Sequence, residues 1–282
     1  MLKKYAKDLT VVAVERLHGR YVLLRLTDAE RLPAMVPGQF VEVRIDDEPS
    51  VFLRRPISIN FVDRQRNELW LLVALVGNGT RRLSRLVAGD RLNVVLPLGN
   101  GFSLPAEGSV DAGRRLLVGG GVGVAPLLCL GAVLRERGVE PTFLLGARTR
   151  EDLLMLPEFE KYGRVCLTTE DGSMGERGFV TNHSILQRER FDLIQTCGPT
   201  PMMKAVARFA REHDVDCEAS LENMMACGLG ACLCCVEKVR TSPVPCEGHT
   251  APDSPVAGKQ ATANVCVCKE GPVFNVKRLL WE

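Results

Sequence analysis

The spacing of four cysteines constrains this chain more than any other feature. Cys227, Cys232 and Cys235 stand in the run Ala226-Cys-Gly-Leu-Gly-Ala-Cys-Leu-Cys-Cys-Val236, and Cys268 follows after a long interval. C-x4-C-x2-C with a distant fourth cysteine is the ligand pattern of a plant-type 2Fe–2S cluster. The backbone between the first three thiols must then wrap closely round two irons, which Gly228 and Gly230 permit because glycine reaches positive φ without a Cβ clash. The competing reading is a four-cysteine zinc site, which prefers two separated C-x2-C pairs. Here the x4 gap and the single distant partner favour iron. The x2 count selects Cys235 over its neighbour Cys234, but spacing alone does not separate Cys268 from Cys266 or Cys246 as the fourth ligand.

Cysteine usage also bears on the compartment. Eleven cysteines in 282 residues is an odd number, and those at 227, 232, 234, 235 and 246 are crowded together. That suits cluster ligation in a reducing, cytoplasmic setting better than a secreted disulfide scaffold. Cys129, Cys166 and Cys217 fall in apolar segments and are expected to be small core residues. The 36 basic and 34 acidic side chains are interspersed and leave a formal charge of +2, so no electrostatic footprint for nucleic acid is present. Residues 1–8 carry charge with no apolar run behind them, so no secretory signal is expected. Residues 116–134 lack charge over nearly a bilayer's length, but their five glycines and Pro126 read as a buried strand, a glycine loop and a buried helix. No membrane span is expected.

The texture of the chain changes twice. Up to about residue 105, short β-branched runs recur at 10–14, 21–26, 40–45, 57–62, 69–76 and 91–96, separated by turn signals, with one short helix near 80–87. This is the signature of an antiparallel barrel or sandwich. After a Pro/Gly/Ala-rich stretch at 104–113, strands at 115–118, 142–145, 164–168, 191–195 and 216–219 alternate with helical segments beginning near 125 and 201. That rhythm predicts a doubly wound parallel sheet with right-handed crossovers. From residue 221 a Cys-, Pro- and Gly-rich tail follows, whose small core a metal centre would stabilise. The chain thus reads as an α+β multidomain protein: an antiparallel β-barrel over 1–105, a doubly wound α/β domain over 113–220 and a small iron–sulfur module over 221–282.

Three further motifs carry chemistry. Leu117-Val-Gly-Gly-Gly-Val-Gly-Val-Ala-Pro-Leu127 is a strand running into glycines and then a helix with proline in its first turn, a place where free N–H groups and the helix dipole favour a pyrophosphate. It is not a strict G-x-G-x-x-G fingerprint, and a bare β–α turn gives the same pattern. Thr196-Cys-Gly-Pro-Thr-Pro-Met-Met203 repeats the arrangement after a later strand, again at the strand end where ligands of open sheets bind. In the barrel, Arg54-Arg-Pro-Ile-Ser-Ile59 offers a guanidinium fork, a fixed backbone and a hydroxyl, and Gly77-Asn-Gly-Thr-Arg-Arg82 opens a helix.

Together these runs resemble the ferredoxin-reductase-like flavoproteins, in which an FAD-binding barrel precedes a nicotinamide-binding α/β domain. More closely, Ser220-Leu-Glu-Asn-Met-Met-Ala-Cys-Gly-Leu-Gly-Ala-Cys232 and Cys268-Lys-Glu-Gly-Pro-Val-Phe274 are similar to the iron–sulfur electron-transfer subunits of NAD-dependent dihydroorotate dehydrogenase. The resemblance covers nearly the whole chain and departs from the family in a long 240–263 segment and in Cys234. It implies FAD held by Arg55, Pro56, Ile57, Ser58, Leu72, Val73, Ala74, Gly79 and Thr80, with Ser58 near the flavin N5 and Arg55 and Gly79-Thr80 at the pyrophosphate. It implies NAD held by Gly119, Gly120, Gly121, Gly123, Val124, Ala125, Pro126, Cys197, Gly198, Pro199 and Met202. It assigns the fourth cluster ligand to Cys268, completing Cys227, Cys232 and Cys235, with Cys234 and Cys266 as bystanders.

The resemblance further implies a partner, an FMN-containing catalytic subunit that oxidises dihydroorotate in pyrimidine biosynthesis, in a heterotetramer with two copies of each chain. Electrons would pass from it through the cluster and FAD to NAD+, and this chain would hold no orotate site. The alternative is a related NAD(P)H-dependent reductase subunit serving a hydrogenase, a sulfur-reducing enzyme or a ferredoxin-linked complex. Arg148 and Arg150, after the second α/β strand, could instead hold the 2′-phosphate of NADP.

Overall fold

The computed structural model describes residues 3–109, 113–241 and 261–281; Cys246 and most of the long 240–263 segment lie outside them. Six strands close a barrel: β1 (Tyr5–His18), β2 (Tyr21–Thr27), β3 (Phe40–Val43), β4 (Arg55–Asp63), β5 (Glu68–Ala74) and β6 (Arg91–Leu98), in the order β1-β2-β5-β4-β3-β6 and all antiparallel. The alternation read from sequence fills it: Val22, Leu24 and Leu26 of β2 and Leu69, Leu71 and Val73 of β5 point inward. The intervening Leu23 and Leu72 are buried too, but on the outside, against Leu117 and Leu127 of the next domain. Helix α1 (Asn78–Leu83) joins β5 to β6. It starts earlier than expected, because the Thr80 hydroxyl accepts the N–H groups of Val76 and Gly77 (3.0 and 3.1 Å) and closes the first turn there.

Beyond the barrel come β7 (Arg115–Gly120), α2 (Ala125–Glu136), β8 (Thr142–Ala147), α3 (Leu156–Glu160), β9 (Arg164–Thr169), β10 (Glu176–Arg177), α4 (Ile185–Arg188), β11 (Leu193–Cys197), α5 (Thr200–Glu212) and β12 (Asp216–Ser220). The sheet runs β10-β9-β8-β7-β11-β12, parallel throughout, so the winding reverses between β7 and β11. The charge-free stretch is β7, a 3-10 turn and α2, buried between sheet and barrel. Among the described residues no helix is long and apolar enough to cross a membrane. β11 begins two residues later than its apolar run suggests, because Asp192 pairs reciprocally with the Arg114 backbone (2.9 and 2.6 Å) and fixes the start of the register.

The cysteine-rich tail is more structured than its composition suggests. β13 (Val236–Arg240) and β14 (Thr262–Cys266) pair antiparallel, α6 (Val267–Glu270) follows, and β15 (Val273–Asn275) adds antiparallel to β12 as a seventh strand of the sheet. Cys235, Val239, Val265, Cys268, Leu279 and Trp281 share one apolar cluster with Phe40 and Leu98 of the barrel, Ile194 and Ala219 of the sheet and Val206 of α5. The tail is therefore wedged against both preceding domains.

Candidate functional site

Strands β3 and β4 set the geometry. Their register places Phe40 opposite Ser58 and Glu42 opposite Pro56, and since Val41 and Val43 point into the barrel, these four side chains share its outer face. Phe40 packs there into the cluster that contains Cys235 and Cys268. Glu42 lies under the cysteine loop: a Cβ on Gly228 (φ +65°) would stand 2.6 Å from its Cγ. The same face thus carries the Arg-Pro-x-Ser run and the floor of the cysteine module.

Arg54 and Arg55 divide their work. Arg54 is tied down structurally, donating to the Glu42 carbonyl (3.2 Å) and the Asn93 side chain (2.5 Å). Among the described residues Arg55 bonds to the nearby carbonyls of Leu53 and Arg54, and it lies over α1, where a Cβ on Gly79 would be 3.0 Å from its Nε. A guanidinium and a helix start are so brought together, as two groups on one phosphate chain must be. The Thr80 side chain is spent on its own cap, which leaves backbone N–H groups as what Gly79 and Thr80 can offer. Of Leu72, Val73 and Ala74, only Ala74 lines an open surface; Leu72 is buried between barrel and sheet, and Val73 inside the barrel.

That surface is a cleft of about 770 Å³ at the carboxyl ends of the parallel strands, walled on one side by Arg20, Tyr21, Ala74 and Val76 of the barrel. Its other wall contains Gly120, Gly121, Gly123, Gly198, Pro199 and Met202, so both glycine turns meet where the winding reverses. They meet closely, since a Cβ on Gly123 would lie 2.4 Å from the Gly198 Cα and 2.7 Å from the Cys197 carbonyl carbon. Gly119, Val124, Ala125 and Pro126 sit behind the cleft wall; the Ala125 carbonyl accepts a 3.0 Å bond from the buried Asn60 amide of the barrel. Cys197 is buried, and burial pushes its thiol far above the ordinary range. Sequence reading missed Arg20, Tyr21, Asp152, Thr168, Glu170, Phe179 and Glu222 in this cleft, because they come from segments far apart in the chain and only the fold brings them together.

The four cysteines stand as two pairs. The Cys227 thiol stands beside that of Cys232, and the Cys268 thiol beside that of Cys235, each influencing its neighbour's ionisation. Backbone N–H groups point at sulfur, Leu229 N at 3.3 Å from Cys227 Sγ and Cys268 N at 3.4 Å from Cys235 Sγ. Burial raises the Cys227 thiol, but the N–H groups of Leu229, Cys232 and Ala231 and the Cys232 side chain outweigh it and bring it down to about 6. Cys268 goes the other way, pushed up to about 12 by burial and by Cys235. Among the described residues no three Cys, His, Asp or Glu side chains converge as ligands of a single ion. Two thiol pairs with N–H donors to sulfur fit a binuclear cluster, which takes two protein thiolates at each iron. Cys234 is exposed, and Cys266 faces the Gly230 carbonyl at 3.9 Å.

Glu42 is the residue beneath this loop that no motif announced. It is fully buried, neither carboxylate oxygen has a partner among the described residues, and burial, opposed by Arg54 and supported by Cys227, raises its carboxyl to about 7.

Residues 117–208 match the oxidoreductase NAD-binding domain family. The dihydroorotate dehydrogenase B (NAD(+)) electron transfer subunit of Lysinibacillus sphaericus is 38% identical over 245 residues, 87% of each chain. The chain belongs to that electron transfer subunit family. The Fusobacterium nucleatum member is 42% identical over 72% of this chain and 78% of its own. Among solved structures, the one described as giving insights into flavin-based electron bifurcation via the NADH-dependent reduced ferredoxin-NADP oxidoreductase superposes with a TM-score of 0.79 at 30% identity. It covers 98% of this chain and 90% of its own. A ferredoxin NADP+ reductase from Neisseria gonorrhoeae shares the fold at 17% identity and a TM-score of 0.59, over 73% of this chain and 91% of its own.

Proposed function

We propose that this chain is the electron-transfer subunit of an NAD-dependent dihydroorotate dehydrogenase. It would join a 2Fe–2S cluster on Cys227, Cys232, Cys235 and Cys268 to FAD on the barrel and to NAD+ in the cleft. Residues 1–105, 113–220 and 221–282 would take these three tasks in the order FAD, NAD and cluster. The observation that carries the reading is the shared face of β3 and β4, which holds Pro56 and Ser58 of the flavin motif and, through Phe40 and Glu42, the floor of the cysteine loop. A flavin exchanges hydrides as well as single electrons, whereas a cluster passes single electrons, so a chain holding both can link a one-electron donor to a nicotinamide.

The chain's own residues bind and orient. Arg55 and the first N–H groups of α1 neutralise and fix a pyrophosphate, and the Ser58 hydroxyl, on the outer face, is placed to hydrogen-bond an isoalloxazine edge. Gly120, Gly121, Gly123, Gly198 and Pro199 let a nicotinamide nucleotide approach the backbone between β7 and β11, and Met202 packs beside it. Leu229 and Cys268 N–H groups stabilise thiolate charge.

The partner would be a catalytic subunit that holds FMN and oxidises dihydroorotate; overall, dihydroorotate would lose two electrons and two protons, NAD+ would take both electrons and one proton, and one proton would be released. We place this assembly in the cytoplasm, with two copies of each subunit. Co-purification with that subunit, followed by an assay of dihydroorotate-dependent NAD+ reduction, tests the reading. Activity that needs both chains supports it, and an inactive complex with every cofactor loaded refutes it. The similarity to the NADH-dependent ferredoxin-NADP oxidoreductase favours one alternative, a reductase subunit of a ferredoxin-linked complex. Reduction of ferredoxin by NADH in the absence of any dihydroorotate partner would select it.

A further inference from the structure

Two strands from the switch point, at the β9 end of the cleft, three side chains have no task in the fold. Thr168 is 1% exposed, lines the cleft, and among the described residues its hydroxyl has no partner; it stands behind Gly146, whose added Cβ would be 3.2 Å from it. Glu170 is exposed in the cleft wall, and among the described residues its carboxylate has neither a hydrogen bond nor an ion pair. Phe179, across from it in sequence and also lining the cleft, leaves its ring 64% exposed. A buried unpaired hydroxyl, a free carboxylate and a bare aromatic ring around one opening are polar and apolar groups awaiting a ligand.

The backbone holds Glu170 in place. The pairing of β8 and β9 continues past both strand ends, the Glu170 N–H donating to the Ala147 carbonyl (3.1 Å) and the Asp171 N–H to that of Arg148 (3.2 Å). Asp171 turns away: its carboxylate accepts the N–H and hydroxyl of Ser173 (3.0 and 2.6 Å), and the Ser173 oxygen in turn accepts the Arg150 N–H (2.8 Å). Of the two adjacent acids, only Glu170 is left to face the cleft.

This inference rests on the cleft taking a nicotinamide nucleotide. With the nicotinamide at the switch point, the rest of an extended dinucleotide crosses the carboxyl ends of β7 and β8, roughly 10 Å for two strand spacings, and its adenosine arrives beside Glu170. We propose that Glu170 selects a nucleotide with a free adenosine 2′-hydroxyl, accepting its hydrogen bond and repelling a 2′-phosphate, while Phe179 stacks on the adenine. Arg148, which sequence alone offered as a phosphate ligand, has this carboxylate beside it in register, so the cation there does not make the site one for NADP.

The test uses the full-length, cofactor-loaded protein and two probes that cannot react, ADP-ribose and 2′-phospho-ADP-ribose, titrated by calorimetry. Oxidation of NADH and NADPH with ferricyanide as acceptor is followed in parallel. Wild type binds ADP-ribose the tighter, and Glu170→Arg shifts the affinity ratio toward the 2′-phosphorylated probe by about tenfold or more. Glu170→Gln shifts it in the same direction by less, and Phe179→Ala weakens both probes without changing the ratio. An unchanged ratio in both Glu170 variants, with NADH still oxidised, overturns this assignment alone. Failure of flavin-loaded wild type to bind either probe or oxidise either nucleotide overturns the nicotinamide reading as well.

Discussion

Single residues in this chain are chosen by what surrounds them rather than by their kind. Eleven cysteines carry one chemistry on paper, yet Cys129 and Cys217 are buried in apolar surroundings that push their thiols up to about 12, while Cys227 is drawn down by N–H donors. Serine at 227, 232, 235 or 268 should abolish the visible absorption and electron paramagnetic signal of a 2Fe–2S cluster, and serine at 234 or 266 should leave both in place. Loss of the cluster in Cys266→Ser with retention in Cys268→Ser would reverse the assignment. Glu42 makes a different prediction. Its folded carboxyl titrates near 7 against 4.5 for an ordinary glutamate, so folding favours the protonated form. The stability it allows is complete below about pH 4.5 and falls as pH rises through 7, by up to about 3 kcal/mol. Glu42→Gln should therefore melt close to wild type at about pH 5 and above it at about pH 8; parallel curves across that window would show that Glu42 finds a partner.

At the scale of elements, two glycine turns and two strands assemble the site. The approach of Gly123 to the Cys197-Gly198 backbone leaves no room for a methyl group, and both contacts are main chain, which cannot rotate away. Gly123→Ala should force the β7 and β11 turns apart, costing roughly 1–3 kcal/mol in stability and raising the KM for the nicotinamide nucleotide about tenfold or more. Thermal melting and steady-state kinetics with an artificial acceptor check both, and an unchanged KM would separate these turns from the nucleotide. Much of this level was legible in the chain. The period-two runs of 21–26 and 69–76 became β2 and β5, and the glycine-proline loops fell at strand ends as expected. The start of β11 was not legible, because the Asp192–Arg114 pair that sets it joins residues far apart in sequence.

For the whole molecule, the tail is the keystone. One apolar cluster runs through barrel, sheet and cysteine module, β15 completes the sheet, and Asn100 at the barrel's end bonds to the Gly271 carbonyl (2.6 Å) just past Cys268. On the barrel's other side, Arg20 is ion-paired with Asp152 and His18 stands 3.7 Å from Glu151, so both sides of the cleft are tied. Removing the cluster should consequently lower the melting temperature of the sheet and barrel together and loosen flavin retention. A calorimetric trace in which the module melts alone, with the main transition unmoved, would contradict that coupling.

Sequence by itself determined the ingredients: the four-thiol spacing, the order barrel then α/β sheet then cysteine tail, and the glycine turns at strand ends. These are local, because periodicity, turn chemistry and ligand spacing are written in neighbouring residues. Only the tertiary structure decided that Glu42 lies beneath the cysteine loop, that Thr168, Glu170 and Phe179 share an opening, and that the tail enters the sheet. Each depends on packing between residues distant in the chain, where burial and unpaired polar groups arise from the fold and leave no pattern in the sequence.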